Sequence, residues 1–473
     1  MGSNTSCIRP DATENHISSL EMKIDQYMSL EVQQGFSGVI AISTESGQKI
    51  YRAYGYSDKD KGLKNNIETV FDIGSLTKQF TGAAILKLEE EGRLSVNDSL
   101  LKFFPSIPND KRNITIHQLL THSSGLPYSL GSDFEKLNSG IFLERIFATD
   151  LLFIPGEKYS HSHAGYSLLG VLIERVSGVK YEEYLNTKFF SPLGMTSTGY
   201  VLPNWDFSNI ANGYRKCRNW GKPMDLNWGT EGPYWNLKAN AGLLSTAEDL
   251  MKWQEALKTD AIFNDVELEK FFYPHIREGD ARSYYSYGWV IIKSKRGTDV
   301  YAHEGGNGKY LSDWINYADD NVSILVLAND WRPGYDRVAT EIAKIIFYPN
   351  HEPEINLLKV DCYNSFPKNR IGQYGQEFID LLISGDSTLV EGFANRSMGN
   401  YVFNKYSNDF VFGTLKYIQK DCGPLTINQI FVINNRFMEV SASRKSDNQD
   451  IKIQFTFDKD DSYKIKQLYY KSP

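Results

Sequence analysis

Ser75-Leu76-Thr77-Lys78 is the tetrapeptide of this chain with the clearest chemical reading. It follows the strand-like Val70 to Gly74 and opens a helical pattern running through Leu88, so Ser75 and Lys78, three apart, share one helix face. A serine hydroxyl needs a base within hydrogen-bond reach to become a nucleophile, and a helix N-terminus offers backbone N–H groups to an oxyanion forming beside it. The S-x-x-K spacing is thus a candidate acyl-transfer centre. The same four letters also describe an N-capping serine followed by a solvated first-turn lysine. His161 and His163 form a second candidate group. Two apart, they point the same way only on a strand, and a third ligand such as His303 has no fixed spacing to them, so no metal is inferred.

Further segments follow in order. After Phe71 to Lys78 come Ile116-His117-Gln118-Leu119-Leu120-Thr121-His122-Ser123-Ser124-Gly125-Leu126, then Pro155-Gly156-Glu157-Lys158 leading into Ala164-Gly165-Tyr166-Ser167-Leu168-Leu169-Gly170. Ser191-Pro192-Leu193-Gly194-Met195, the run Ala241 to Leu250, and His303-Glu304-Gly305-Gly306 complete the series. Together they resemble the serine β-lactamase-like family, which includes class C β-lactamases, D-alanyl-D-alanine carboxypeptidases, D-aminopeptidases and related esterases. The resemblance runs from about residue 15 to about 348. It implies an α/β sandwich with a helical region and a cleft between them. Ser75 would be the acylated nucleophile, Lys78 its partner, and the N–H groups of Ser75 and Gly306 the oxyanion hole. It implies no metal and no organic cofactor.

The pattern breaks where the family carries Tyr-x-Asn. Counting back from Ala164 without a gap puts His161 at the tyrosine position and His163 at the asparagine position. A register slipped by two would use Tyr159-Ser160-His161 and keep a tyrosine. In the ungapped register His161 is a candidate base, or acid to the leaving group, since an unperturbed imidazole titrates near 6.5 whereas lysine and tyrosine must be shifted by about three units. The competing reading is a degenerate site that binds without turnover. His303, Glu304 and Gly305 stand where β-lactamases and penicillin-binding proteins usually have Lys-Thr-Gly, and with His163 they are candidate substrate contacts. Losing a fixed positive charge and adding a negative one disfavours a substrate carboxylate. The expectation is poor β-lactam turnover and a preference for neutral or cationic esters, amides or peptides.

The elements that must hold these residues read as α+β. A helical pattern through Ile24, Tyr27 and Met28 precedes the strand-like Val39 to Ile42 and the β-rich Lys49 to Tyr56. After Tyr284 come strands at Tyr287 to Ile292, Val300 to His303, Trp314 to Tyr317 and Val322 to Leu327, then a helix through Val338, Ile342, Ile345 and Ile346. Strands from both ends should complete one sheet. The domain reading is a disordered tail or expression remnant over 1–12, a β-lactamase-like catalytic domain over 13–349, a linker over 350–368 and a small α+β accessory domain over 369–473. In the last, Tyr374 to Phe393 reads as one helix and Tyr401 to Tyr470 as short strands.

A chain of 473 residues has room for two to three domains at roughly 150 residues each. A net charge of −7 without a long block of one sign gives no footprint for nucleic acid or anionic lipid. No apolar run is long enough to span a membrane. The four cysteines fit no C-x-x-C spacing and read as free or buried thiols. The expected partner is a small-molecule or peptide acyl substrate, with oligomeric state open. Family habit points to a periplasmic or secreted location, with Met1-Gly2-Ser3 standing where an export segment was removed.

Overall fold

Two apolar runs far apart in the chain meet at the centre of the fold. The computed structural model describes residues 12–226, 228–279, 282–332, 334–355 and 360–471. Helix α1 (Ala12–Gln33) leads into the hairpin β1 (Gly38–Ser43) and β2 (Lys49–Tyr54). The middle of the chain supplies α2 (Thr77–Glu90), α3 (His163–Ser177) and α4 (Ala247–Ala256). Then follow β3 (Ile276–Arg277), β4 (Tyr284–Tyr285), β5 (Val290–Lys293), β6 (Asp299–Gly306), β7 (Leu311–Tyr317), β8 (Val322–Ala328) and α5 (Val338–Phe347). These strands form one antiparallel sheet in the order β2-β1-β8-β7-β6-β5-β4-β3. Gly38 faces Ala328 and Ser43 faces Ser323, so the sheet is closed by strands from both ends of the unit, as the sequence pattern requires.

Every residue of β1 and β8 is buried, which explains why both read as unbroken apolar runs and not as alternation. Helix α5 packs on β7 and β8 and against α1, while α4 packs on β1 and β8. β6 instead alternates: His303 and Gly305 are buried, Glu304 and Gly306 exposed. Helix α2 is buried from Thr77 through Leu86, the mark of a helix at the centre of a large unit.

The chain divides into two compact units between Asn356 and Leu357. The second contains β9 (Val360–Tyr363), α6 (Arg370–Ser384), α7 (Val390–Ser397), α8 (Asn400–Lys405), α9 (Asn408–Cys422), β10 (Leu425–Ile433), β11 (Phe437–Arg444), β12 (Asp450–Asp458) and β13 (Lys464–Lys471). Its sheet order is β9-β10-β11-β12-β13. The α+β class expected from the sequence is found, with three local corrections. Gly385, at φ +64, ends α6, so the stretch read as one helix is two. Residues 400–405 and 408–422 are helical where short strands are expected; in the longer stretch, although it is rich in β-formers, Val411, Leu415, Ile418 and Cys422 recur at helical spacing and are buried, and Ser407 caps the helix by accepting from the Phe410 N–H. Val360–Tyr363, inside the stretch read as linker, pairs with β10.

Residues 1–11 of the expected N-terminal tail lie outside the described residues; Ala12 begins α1. Cys217 and Cys362 each take part in a disulfide and Cys422 is a buried free thiol, which corrects the reading of free or buried thiols for the first two; Cys7 lies outside the described residues. Spacing along the chain carries no information about which sulfurs meet in space. Among the described residues no helix is long and apolar enough to cross a membrane.

Candidate active site

Ser75 lies in a 3₁₀ turn (Gly74–Leu76) that runs directly into α2, and Lys78 follows in the first turn of the helix. Thr77 Oγ1 ties this entry down by donating to Gly74 O at 2.7 Å and accepting from the Leu243 N–H at 3.2 Å. Lys78 Nζ lies 2.9 Å from Ser75 Oγ and donates to the backbone oxygen of Asn240 at 2.8 Å. The amine is fully buried, and that burial pulls its pKa down to about 7 against a small opposing pull from the Asp133 carboxylate. Asn240 is itself held by side-chain hydrogen bonds to Ser167 Oγ and Asn236 O, both 2.8 Å.

β6 passes close beside Ser75. A Cβ on Gly305 would stand 2.4 Å from Ile73 O and 2.8 Å from Ser75 N; one on Gly74, whose φ is +51, would stand 2.5 Å from Gly306 N. Only glycine lets the two backbones approach so closely. The Asn307 N–H reaches Tyr310 O at 3.4 Å, which marks the Asn307/Tyr310 pair as hydrogen-bonded. One residue back along an antiparallel ladder the pairing is of the open type, so the Gly306 N–H turns away from β7. On that outer side β5 stops at the Val290/Ala302 pair, leaving the Gly306 N–H facing the seam beside Ser75. Ser75, at a helix entry, likewise has an N–H with no intrahelical acceptor.

Four histidines, His122, His161, His163 and His303, lie within reach of the Lys78 charge. Ser162 caps α3, its hydroxyl accepting from the Gly165 N–H at 3.0 Å, and this cap fixes His161 and His163 on either side of it. The His161 ring lies 4.3 Å from His122 and 5.2 Å from His163, and His163 lies 4.3 Å from Tyr128. His122 Nδ1 accepts from the Ser162 N–H at 3.1 Å, which shapes the loop that carries both residues. The Lys78 charge acts on His161, His163 and His303 alike. Burial first, and then the neighbouring cations, push His161 and His303 down to about 3 and His163 to about 2. All are therefore neutral at pH 7. The expectation that His161 titrates near 6 to 7 is corrected: Lys78 holds the neutral-range pKa because burial costs both groups their charged forms, and lysine starts higher. His161 Nε2 is buried and has no hydrogen-bond partner among the described residues. Tyr159, the tyrosine of the slipped register, hydrogen-bonds to Glu278.

His303 accepts or donates at Nε2 to the Tyr285 hydroxyl, 3.0 Å away, and its Nδ1 lies 2.6 Å from Glu304 O. The position expected to weaken a fixed positive charge is thus an uncharged, internally bonded ring. Tyr128 and Tyr285 pack on the histidines, whereas Trp314 is core, its indole donating to Ser323 Oγ. Sequence reasoning missed Asn240, one residue before the Ala241-Gly242 segment, and Asp133, in a loop without periodicity. His122, named there only as part of the Ile116 to Leu126 segment, packs its ring on His161. Among the described residues no group of three His, Cys, Asp or Glu side chains is arranged to hold a metal ion.

A family model described as Beta-lactamase matches residues 20–346. The chain belongs to the beta-lactamase family. Its enzyme class is that of the family, the serine hydrolases. Among curated relatives, Penicillin-binding protein 4* of Bacillus subtilis is 28% identical over 320 residues, 64% of this chain and 70% of that protein. Among solved structures, a penicillin-binding protein from Bacillus halodurans is 26% identical with a TM-score of 0.58, covering 69% of this beta-lactamase-family chain and 98% of the other. An octameric penicillin-binding protein homologue from Pyrococcus abyssi, 24% identical with a TM-score of 0.60, shares the fold over 96% of this chain and 100% of its own.

Proposed function

We propose that this chain forms an acyl-enzyme on Ser75 and hydrolyses, or transfers to another acceptor, the acyl group of neutral or cationic esters, amides or peptides. The observation that carries the reading is a buried Lys78 amine 2.9 Å from Ser75 Oγ, with its pKa lowered to about 7. In its neutral form Lys78 takes the Ser75 proton as Oγ attacks the acyl carbonyl. The carbonyl oxygen becomes an oxyanion between the N–H groups of Ser75 and Gly306, each such donor being worth about 3 kcal/mol in comparable sites. Collapse expels the leaving group, which takes a proton relayed from Lys78 through His161; attack by water on the ester reverses the proton path. His161 fits this role by its nearness to the Lys78 charge and its buried Nε2, which has no hydrogen-bond partner among the described residues. His163 and the outer edge of β6 at Glu304 and Gly305 border the substrate.

The charge pattern supports the substrate class. His303 is neutral where a lysine would greet a carboxylate, Glu304 is exposed beside it, and the Asp133 carboxylate acts on Lys78. Slow nitrocefin turnover follows. Disulfide-bonded Cys217 and Cys362 support an oxidising, periplasmic or secreted location.

The test is intact mass after exposure to a fluorophosphonate and a panel of activated esters, for the parent and for Ser75→Ala, with product release and nitrocefin hydrolysis followed in parallel. The expected result is a Ser75-dependent adduct, ester turnover and weak nitrocefin hydrolysis. An adduct without turnover supports instead a binding protein on the same fold. Absence of any adduct removes the acyl-serine mechanism, and efficient nitrocefin hydrolysis removes the proposed substrate class.

A further inference from the structure

The second unit carries a groove of about 440 Å³ lined by α8, α9 and Lys466 to Tyr470 of β13. Tyr401, Tyr406, Phe410, Tyr417 and Tyr469 line it, each between 40% and 66% exposed. The fold leaves the burial of these rings incomplete, and such clusters mark recognition surfaces. Tyr406 and Phe410 stack at 5.2 Å. Lys405 Nζ stands 5.8 Å from the Tyr401 ring and 5.2 Å from that of Tyr406, and Lys466 Nζ stands 5.0 Å from Tyr401. Among the described residues Lys466 pairs with Asp458 at 3.7 Å. The groove is thus aromatic and cationic.

Its shape follows from β13. Five consecutive residues of that strand line it, whereas a groove on a sheet face would meet only alternate ones. The groove therefore runs along the strand's edge. β13 is the last strand of its sheet, and on its outer side the one bridge joins Met398 to Ile465, where the Gly399 N–H donates to Ile465 O at 2.9 Å. From Lys466 to Tyr469 no further strand lies beside it among the described residues. An open edge offers a template for an added strand.

We propose that this groove binds an extended acidic peptide segment of a partner protein by strand addition to β13. The ladder supplies main-chain hydrogen bonds, the rings accept the apolar side chains on one side of the added strand, and Lys405 and Lys466 accept its carboxylates. An anionic glycan would use the rings and the lysines but leave the edge idle, and a docked helix would satisfy its own backbone and do the same.

The experiment uses the full chain and four fluorescent probes: an octapeptide alternating Glu and Phe, its N-methylated form, its Lys-for-Glu form, and an oligomer of polygalacturonic acid. Saturable binding of the acidic peptide is expected, weakened about tenfold or more by backbone N-methylation, by the charge swap, and by the double variant Lys405→Glu/Lys466→Glu. Bound peptide should also slow amide exchange at Gln467 to Tyr469. Tyr417→Ala, at a side chain 66% exposed, weakens binding without disturbing the fold. No saturable binding, equal binding of the N-methylated peptide, or binding of the glycan in place of the peptide would each overturn the proposal.

Discussion

Lys78→Arg tests the proposed chemistry most directly. Burial moves the Lys78 amine from 10.5 to about 7, a cost of about 5 kcal/mol at 1.36 kcal/mol per unit. At pH 7 about half of the molecules then carry a neutral amine beside Ser75; at the ordinary value only about one in 3,000 would. Arginine keeps its proton throughout this range, so labelling of Ser75 should fall by about a thousandfold or more. In the parent the logarithm of the labelling rate should climb with unit slope up to pH about 7 and then level off, and in Lys78→Arg this limb should vanish. Stability carries the same signature. The unfolded lysine holds its proton up to about 10.5 and the folded one only to about 7, so between those values the unfolded state binds the extra proton and stability rises with pH. Lys78→Met should therefore be more stable than the parent by up to about 5 kcal/mol below pH 7, the gap closing toward pH 10.5. Intact-mass labelling rates across pH and denaturant melts of Lys78→Met measure both. A labelling rate flat from acid to alkaline pH, or a Lys78→Met variant no more stable than the parent in mild acid, would refute the reasoning.

Other outcomes follow from neighbouring residues. His161→Ala should lower turnover by about a hundredfold or more while leaving the limb near pH 7 in place, because His161 stays neutral down to about 3; a limb that disappears with the histidine would reassign it. Gly305→Ala must push β6 away from Ile73 O and Ser75 N, so labelling should slow by about a hundredfold or more and the melting temperature should fall by several degrees with it. Asp133→Asn removes a charge that raises the Lys78 pKa, so the limb should move to lower pH by a fraction of a unit; movement upward would contradict the assigned field.

Much of this was legible in the chain. Ser75 and Lys78 announce themselves by type and spacing, and the burial of both faces of β1 and β8 is written in Val39 to Ile42 and Val322 to Leu327. Other features were hidden for physical reasons. The Lys78 pKa depends on burial supplied by segments far along the chain, and the acceptor for its proton-bearing nitrogen is a backbone oxygen, which no residue letter encodes. Asp133 reaches the site from an irregular loop, where no period predicts direction. In the second unit Tyr, Phe, Val and Thr between residues 408 and 422 suggested strands, and the buried positions at helical spacing won because tertiary packing outweighs intrinsic preference.

The pairing of β1 with β8 also governs how the protein comes into being. Gly38 finds its partner only when Ala328 has been made, so the sheet under Ser75 cannot close while the chain is still emerging from the ribosome short of that point. Until then β1 offers an open apolar edge on one side and β2 on the other. A chain interrupted within this unit is therefore not a weaker enzyme but a sticky fragment, and a cell making it has reason to keep that first strand shielded until synthesis has run past β8.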